Sequence, residues 1–142
     1  MRFLIVLVSS VLALHTGIAY AQKTLGEILD QGAKKLSAEE FKSLVSGATI
    51  SGTTLTGFDF STKYSPDGTH SGSAQNMQGS SGISGTWKID DSGKLCGQTQ
   101  STRSNTPAPS VCAFWFKVAD RYFTSPSDAD RSASIAPRAV KR

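Results

Sequence analysis

The stretch Phe58-Asp59-Phe60-Ser61-Thr62-Lys63-Tyr64-Ser65-Pro66-Asp67-Gly68 decides how this chain is read. Phe58, Phe60 and Tyr64 share one face of an extended segment, and Asp59 and Lys63 the other. That is the period-two pattern of a half-buried strand. Ser65-Pro66-Asp67-Gly68 then supplies turn chemistry in order: proline presets φ, aspartate suits the third position and glycine takes the positive φ. The chain is expected to return over Thr69 to Gln75, closing a hairpin.

Downstream, Asn76 to Gly82 reads as a polar, glycine-rich loop, and Gly85 to Asp90 as a strand with Trp87 and Ile89 on one face. Asp91-Ser92-Gly93 turns it into Lys94 to Gln98. A second loop runs from Thr99 to Pro109. Val111-Cys112-Ala113-Phe114-Trp115-Phe116-Lys117-Val118 is apolar on both faces, the pattern of a strand covered on both sides. Tyr122-Phe123-Thr124 continues the pattern, and a last strand spans about Ser132 to Val140, where Pro137 removes a ladder donor and argues for an edge.

Upstream of the hairpin, Ala48 to Gly52 forms a first strand. Ser37-Ala38-Glu39-Glu40-Phe41 carries a capping box, with Leu36 and Phe41 placed for a hydrophobic staple. The helix it starts offers Phe41, Leu44 and Val45 to a core and stops at Gly47. Leu25, Ile28, Leu29, Ala33 and Leu36 draw a weaker helical stripe over Thr24 to Leu36. The sum is a mainly β chain with a minor helical part. It is an antiparallel meander of about eight short strands, curled or barrel-like. Two short N-terminal helices precede it and cover a face or plug an end.

Met1-Arg2, an apolar run from Phe3 to Leu14 and Ala19-Tyr20-Ala21 make the pattern of a secretory signal peptide. The run is too short, and too interrupted by Ser9, Ser10 and His15, for a spanning helix. The expected organisation is therefore a cleaved signal over residues 1–21, a helical segment over 22–47 and a β domain over 48–142, with no anchor after cleavage. The expected location is periplasmic or secreted. In such an oxidising place Cys96 and Cys112, the two cysteines of the chain, are most simply one structural disulfide. The formal net charge of +4 is scattered and does not interleave with aromatics. It reads as solvating charge and not as a nucleic-acid surface.

Leu36-Ser37-Ala38-Glu39-Glu40-Phe41, Gly47-Ala48-Thr49-Ile50-Ser51-Gly52, Tyr64-Ser65-Pro66-Asp67-Gly68-Thr69 and Gly85-Thr86-Trp87-Lys88-Ile89 follow one another before the two cysteines and the aromatic strand. This series resembles a family of small exported proteobacterial proteins of unknown function, in which a G-T-W strand precedes a cysteine pair. The resemblance covers about Leu36 to the C-terminus. It implies a periplasmic or secreted small β domain, and it carries no catalytic residue onto this chain.

Candidate chemistry is sparse. His70 could be imagined as a general base, yet no G-x-S-x-G elbow and no orienting acid accompany it. A surface histidine on a hairpin strand is the plainer reading. Asp59 with Asp67, or Asp90 with Asp91, could form an acid/base pair, but each has a turn or strand-end position to fill. Asp128-Ala129-Asp130 alternates oxygens as calcium loops do, without the glycine and closing glutamate of such a loop. No metal ligand set and no cofactor are expected. The surplus of aromatics is the one functional hint. Trp87, Trp115, Phe114 and Phe116 are candidates for an apolar ligand site, against their use as core. The leading expectation is a non-enzymatic exported β domain that binds a protein, an envelope component or a small apolar ligand. A small secreted hydrolase and a structural or stress-related envelope protein are the alternatives.

Overall fold

The computed structural model describes residues 23–104 and 106–142. The signal peptide expected over residues 1–21 lies outside the described residues. Eleven elements follow in order. The helices are α1 (Leu25–Asp30) and α2 (Ala38–Val45), with the short strand β1 (Lys34–Lys35) between them. The remaining strands are β2 (Thr49–Thr53), β3 (Asp59–Tyr64), β4 (Thr69–Asn76), β5 (Gly79–Ile89), β6 (Leu95–Ser101), β7 (Val111–Val118), β8 (Arg121–Ser125) and β9 (Ala136–Lys141).

From β2 to β9 every strand pairs antiparallel with its sequence neighbour, and β9 returns to pair with β2. The meander is therefore a closed eight-stranded up-and-down barrel, which leaves no long open edge. β1 lies outside the ring and extends the sheet along the second half of β7, through Lys34↔Lys117 and Lys35↔Phe116. The first half of that β7 edge pairs with β6 over Leu95↔Ala113, Cys96↔Cys112 and Gly97↔Val111. Cys96 and Cys112 are disulfide-bonded across this seam.

Strand alternation divides the apolar residues into two cores. Ile50, Trp87, Leu95 and Trp115 point into the barrel, and Phe41 and Val45 of α2 join them, so α2 stoppers one end. Phe41 sits 4.9 Å from Trp115, ring centre to ring centre. The opposite face of β7 and β8 carries Phe114, Phe116, Val118 and Phe123, which Leu25 and Ile28 of α1 cover together with Ile135. The two helices thus fill the two covering roles expected of them. Both are capped as their sequences prescribe: Ser37 Oγ accepts from the Glu40 amide at 3.2 Å while the Ser37 amide donates to Glu40 Oε2 at 2.8 Å.

The stripe from Thr24 to Leu36, which Gly26 and Gly32 weaken, forms a short helix only: α1 ends at Asp30, Gly32 takes φ +84°, and the chain leaves as β1. Two sequence expectations are corrected. Asn76 to Gly82 is not a loop. Met77-Gln78 is a two-residue hairpin connection and Gly79 already belongs to β5, because backbone pairing with β4 orders a segment whose side chains show no apolar pattern. Pro137 does not mark an edge of the sheet. β9 has two neighbours, but β8 pairs with Ala136 to Arg138 while β2 pairs with Ala139 to Lys141, so the missing donor falls where pairing is one-sided.

Gly72 and Gly85 share the inward phase of their strands with His70 and Trp87. A Cβ on Gly85 would overlap the Gln98 carbonyl oxygen and stand 2.8 Å from His70 Nε2. The wall there is bent too tightly for any side chain. Gly85→Ala is expected to destabilise by up to about 3 kcal/mol through overpacking against backbone. Urea unfolding checks it, and a loss under about 0.5 kcal/mol would mean that the strands part easily at this point.

Candidate functional site

With α2 filling one end, the other end of the barrel is bounded by the β2–β3, β4–β5, β6–β7 and β8–β9 connections. A cavity of about 650 Å³ opens there, within the range of small-molecule sites, roughly 300–1,000 Å³. Its walls are apolar, with Phe58, Phe60, Ala74, Ile83 and Val111 among them. Hydroxyls punctuate these walls: Thr62 and Tyr64 from β3, Ser81 from β5, Thr99 and Ser101 from β6. Among the described residues no Asp, Glu, Lys or Arg lines it. Two smaller spaces adjoin, of about 330 and 160 Å³, and Arg138 borders both. Its Nη1 donates to the carbonyls of Thr53 and Pro137, at 3.0 and 2.8 Å, and its guanidinium lies 5.2 Å from the Phe60 ring centre.

His70 is the unexpected member of the wall. The plain expectation of a surface histidine is wrong, since the residue is only 4% exposed. Register explains it. His70 pairs with the inward Tyr64 across the turn and so points into the barrel with it. The two rings stack, 5.3 Å apart at 21°. Nε2 lies 3.3 Å from the Gln98 carbonyl oxygen and 3.4 Å from Thr99 Oγ1. The Gln98 carbonyl only accepts, and on that contact the ring proton is assigned to Nε2, with Nδ1 left as an acceptor. Nδ1 is buried and has no hydrogen-bond partner among the described residues, an arrangement that costs about 1–3 kcal/mol wherever it persists.

Burial is the main influence on the imidazole and lowers its pKa below the ordinary 6.5, with the Gln98 carbonyl opposing. The groups packed around it are Tyr64 from β3, Gly85 from β5 and Gln98 and Thr99 from β6, none of which offers a carboxylate. The sign follows. Below pH 6.5 the unfolded chain takes up this proton more readily than the folded one, so stability falls as pH drops through the window between the two pKa values. Thermal melts between neutral and mildly acidic pH are expected to show this loss in the wild type and not in His70→Leu. An identical slope in both would place the sensitivity elsewhere.

The four aromatic candidates occupy defined places. Trp115 forms part of the floor of the barrel interior and borders the smallest of the three spaces. Trp87 donates its Nε1–H to the carbonyls of Ser65 and Thr69, at 3.0 and 3.1 Å, and packs edge-on against Tyr64. Phe114 and Phe116 lie on the outer face, under α1. The residues that line the large cavity come from elsewhere, chiefly from β3 to β6 and the β6–β7 loop.

Five of the aspartates considered above have structural partners in the backbone or in neighbouring side chains. Asp67 Oδ1 accepts from the amide and the hydroxyl of Thr69, at 2.9 and 2.6 Å. Asp59 accepts from Thr53 Oγ1 at 2.6 Å, and Asp130 accepts from the Ser132 amide at 2.9 Å. Asp128 pairs with Lys35 at 2.6 Å. Asp90 lies beside Cys96 and Cys112. Both sulfurs are engaged in the disulfide, and Asp90 Oδ1 accepts from the Ser92 and Lys94 amides, each at 2.9 Å.

Fold and site together define a small closed β-barrel, stoppered by a helix at one end and hollow at the other. The chain belongs to the family described as "protein of unknown function (DUF995)", whose pattern matches residues 9–130. No curated protein and no solved structure matches it.

Proposed function

We propose that this is an exported, non-enzymatic barrel that holds a small, mainly apolar ligand in its open end. The carrying observation is the cavity of about 650 Å³ with apolar walls inside a closed barrel. Eight strands make a barrel just wide enough either to be filled by side chains or to hold one small ligand. Here the α2 end is filled and the other end is hollow. Export accords with the disulfide between Cys96 and Cys112, which persists outside a reducing cytoplasm. The hydrolase alternative finds no support in the site: the hydroxyl in contact with His70, Thr99 Oγ1, stands at 3.4 Å, and among the described residues no carboxylate bonds the ring. In this reading Trp115 and Trp87 form the floor beneath the ligand, and Phe114 and Phe116 support that floor from outside.

The test is binding of the fluorescent apolar probe N-phenylnaphthylamine. The wild type is expected to bind it and to melt higher in its presence, by the equivalent of about 2.7 kcal/mol at a hundredfold excess over Kd. Ala74→Phe places a ring in the cavity and is expected to abolish binding while the barrel still folds. A wild type that ignores the probe, or an Ala74→Phe variant that binds it equally well, would remove the cavity reading.

A further inference from the structure

The chemistry of the cavity says more than that its ligand is apolar. We propose that the ligand is an uncharged amphiphile, an apolar body ending in one O–H or N–H donor, and that the donor lodges at His70. This rests on the cavity reading above and narrows it.

Three observations converge. First, the lining among the described residues contains no ionised side chain. A carboxylate, phosphate or ammonium would leave water without a counter-charge, a cost that an apolar wall cannot offset. Arg138 borders the two smaller spaces and not this one, and its Nη1 is held by two backbone carbonyls. Second, the polar groups the cavity does offer, such as Thr62, Thr99, Ser81 and Ser101, are neutral hydroxyls that can serve an uncharged headgroup.

Third, His70 lines the cavity while more than nine-tenths buried, and its Nδ1 has no partner among the described residues. A buried acceptor without a donor is an uncommon feature that calls for an explanation. With Nε2 protonated toward Gln98, and with burial keeping the ring neutral, what the site lacks is a donor. A hydroxyl, phenol or amide supplies one, whereas an ether or a carboxylate does not. Nδ1 is sealed from solvent, so the proposal requires that the ring turn about Cβ–Cγ to bring it to the donor. The long contacts of Nε2, at 3.3 and 3.4 Å, restrain that turn only weakly.

Three probes of one chain length separate the possibilities: octanol, its methyl ether and octanoate, each competed against N-phenylnaphthylamine at neutral pH. Octanol is expected to bind about fivefold tighter than the ether, the effect of one net hydrogen bond, and tighter than octanoate. His70→Leu keeps an apolar side chain of similar bulk, and in it octanol should lose its lead while the ether binds as before. Equal binding of octanol and ether to the wild type would overturn the donor assignment, and tightest binding of octanoate would show that the site takes an anion. Both outcomes leave the cavity reading standing. Failure of all three to displace the bound probe overturns the amphiphile, and failure of the probe itself to bind overturns the parent reading. Should His70→Leu not fold, His70→Met takes its place in the same comparison, and octanol keeping its lead there would overturn the assignment to His70.

Discussion

Trp115→Ala is expected to cost about 3–5 kcal/mol of stability, the range for deleting a large buried aromatic. It is expected to be the most damaging single replacement in the barrel interior. Trp115 is 4% exposed and stands where three parts of the fold meet. It touches Phe41 of the stoppering helix at 4.9 Å and Tyr122 of β8 at 6.4 Å, ring centre to ring centre, and it shares the interior cluster with Ile50, Trp87 and Leu95. Removing the indole leaves a void that α2 cannot fill by moving inward, because Ser37 and Glu40 hold its first turn and the Leu36 amide is tied to the Trp115 carbonyl at 2.9 Å. Urea unfolding followed by far-ultraviolet circular dichroism measures the loss. A drop below about 1 kcal/mol would mean that the interior is not packed around this ring. Trp115→Phe tells packing from contact with ligand. If it keeps most of the stability yet abolishes probe binding, the indole touches the ligand; if both survive, its work is structural.

Two residues of the same hairpin show how much of this was legible in the sequence. The alternation of Phe60 and Tyr64 across Asp59 and Lys63 gave β3 its inward face directly, because apolar side chains mark the phase of a strand. On β4 the phase is carried by Thr69, His70, Ser71, Gly72 and Ser73, none of which is an apolar marker. The pattern around His70 is consequently that of a surface residue. The clue lay in the turn: a tight Ser65–Gly68 connection forces His70 opposite Tyr64, and opposite residues of an antiparallel pair share a face. The start of β5, Gly79 to Ser84, went unseen for the same reason. The double-sided apolar pattern of β7 predicted covering on both faces, and α1 and the barrel interior supply it. It could not say which aromatics meet a ligand. The large cavity is bounded by strands and loops whose polar, small residues leave space unfilled, and a space has no signature in the pattern of what fills cores.

Loss of the Cys96–Cys112 disulfide is expected to cost about 3 kcal/mol, the chain-entropy value for a loop of this length; the cysteines are 16 residues apart in sequence. Its position suggests that the effect is local as well as global. The β6–β7 seam holds only three residue pairs, and the disulfide joins the middle one. Beyond them β6 has β5 as its remaining partner, and β7 turns to β1 and β8. The Thr102–Ser110 loop that departs from this seam supplies Ser104, Thr106, Pro107 and Pro109 to the cavity wall. Like the β2–β9 and β8–β9 seams, the β6–β7 seam is short, and without the disulfide it is expected to loosen next to the proposed ligand. Cys96→Ala/Cys112→Ala is expected to unfold at lower urea with a somewhat steeper slope, because the uncrosslinked unfolded chain exposes more surface, and to show faster amide hydrogen exchange over 95–101 and 111–113 than over β3 and β4. Uniformly faster exchange along the whole barrel would show that the bond acts through the unfolded chain alone. An unchanged urea midpoint would sink the structural role itself. If the seam loosens while the fold holds, the bound probe should leave faster from the reduced protein, which joins the redox state of the two cysteines to retention of the ligand.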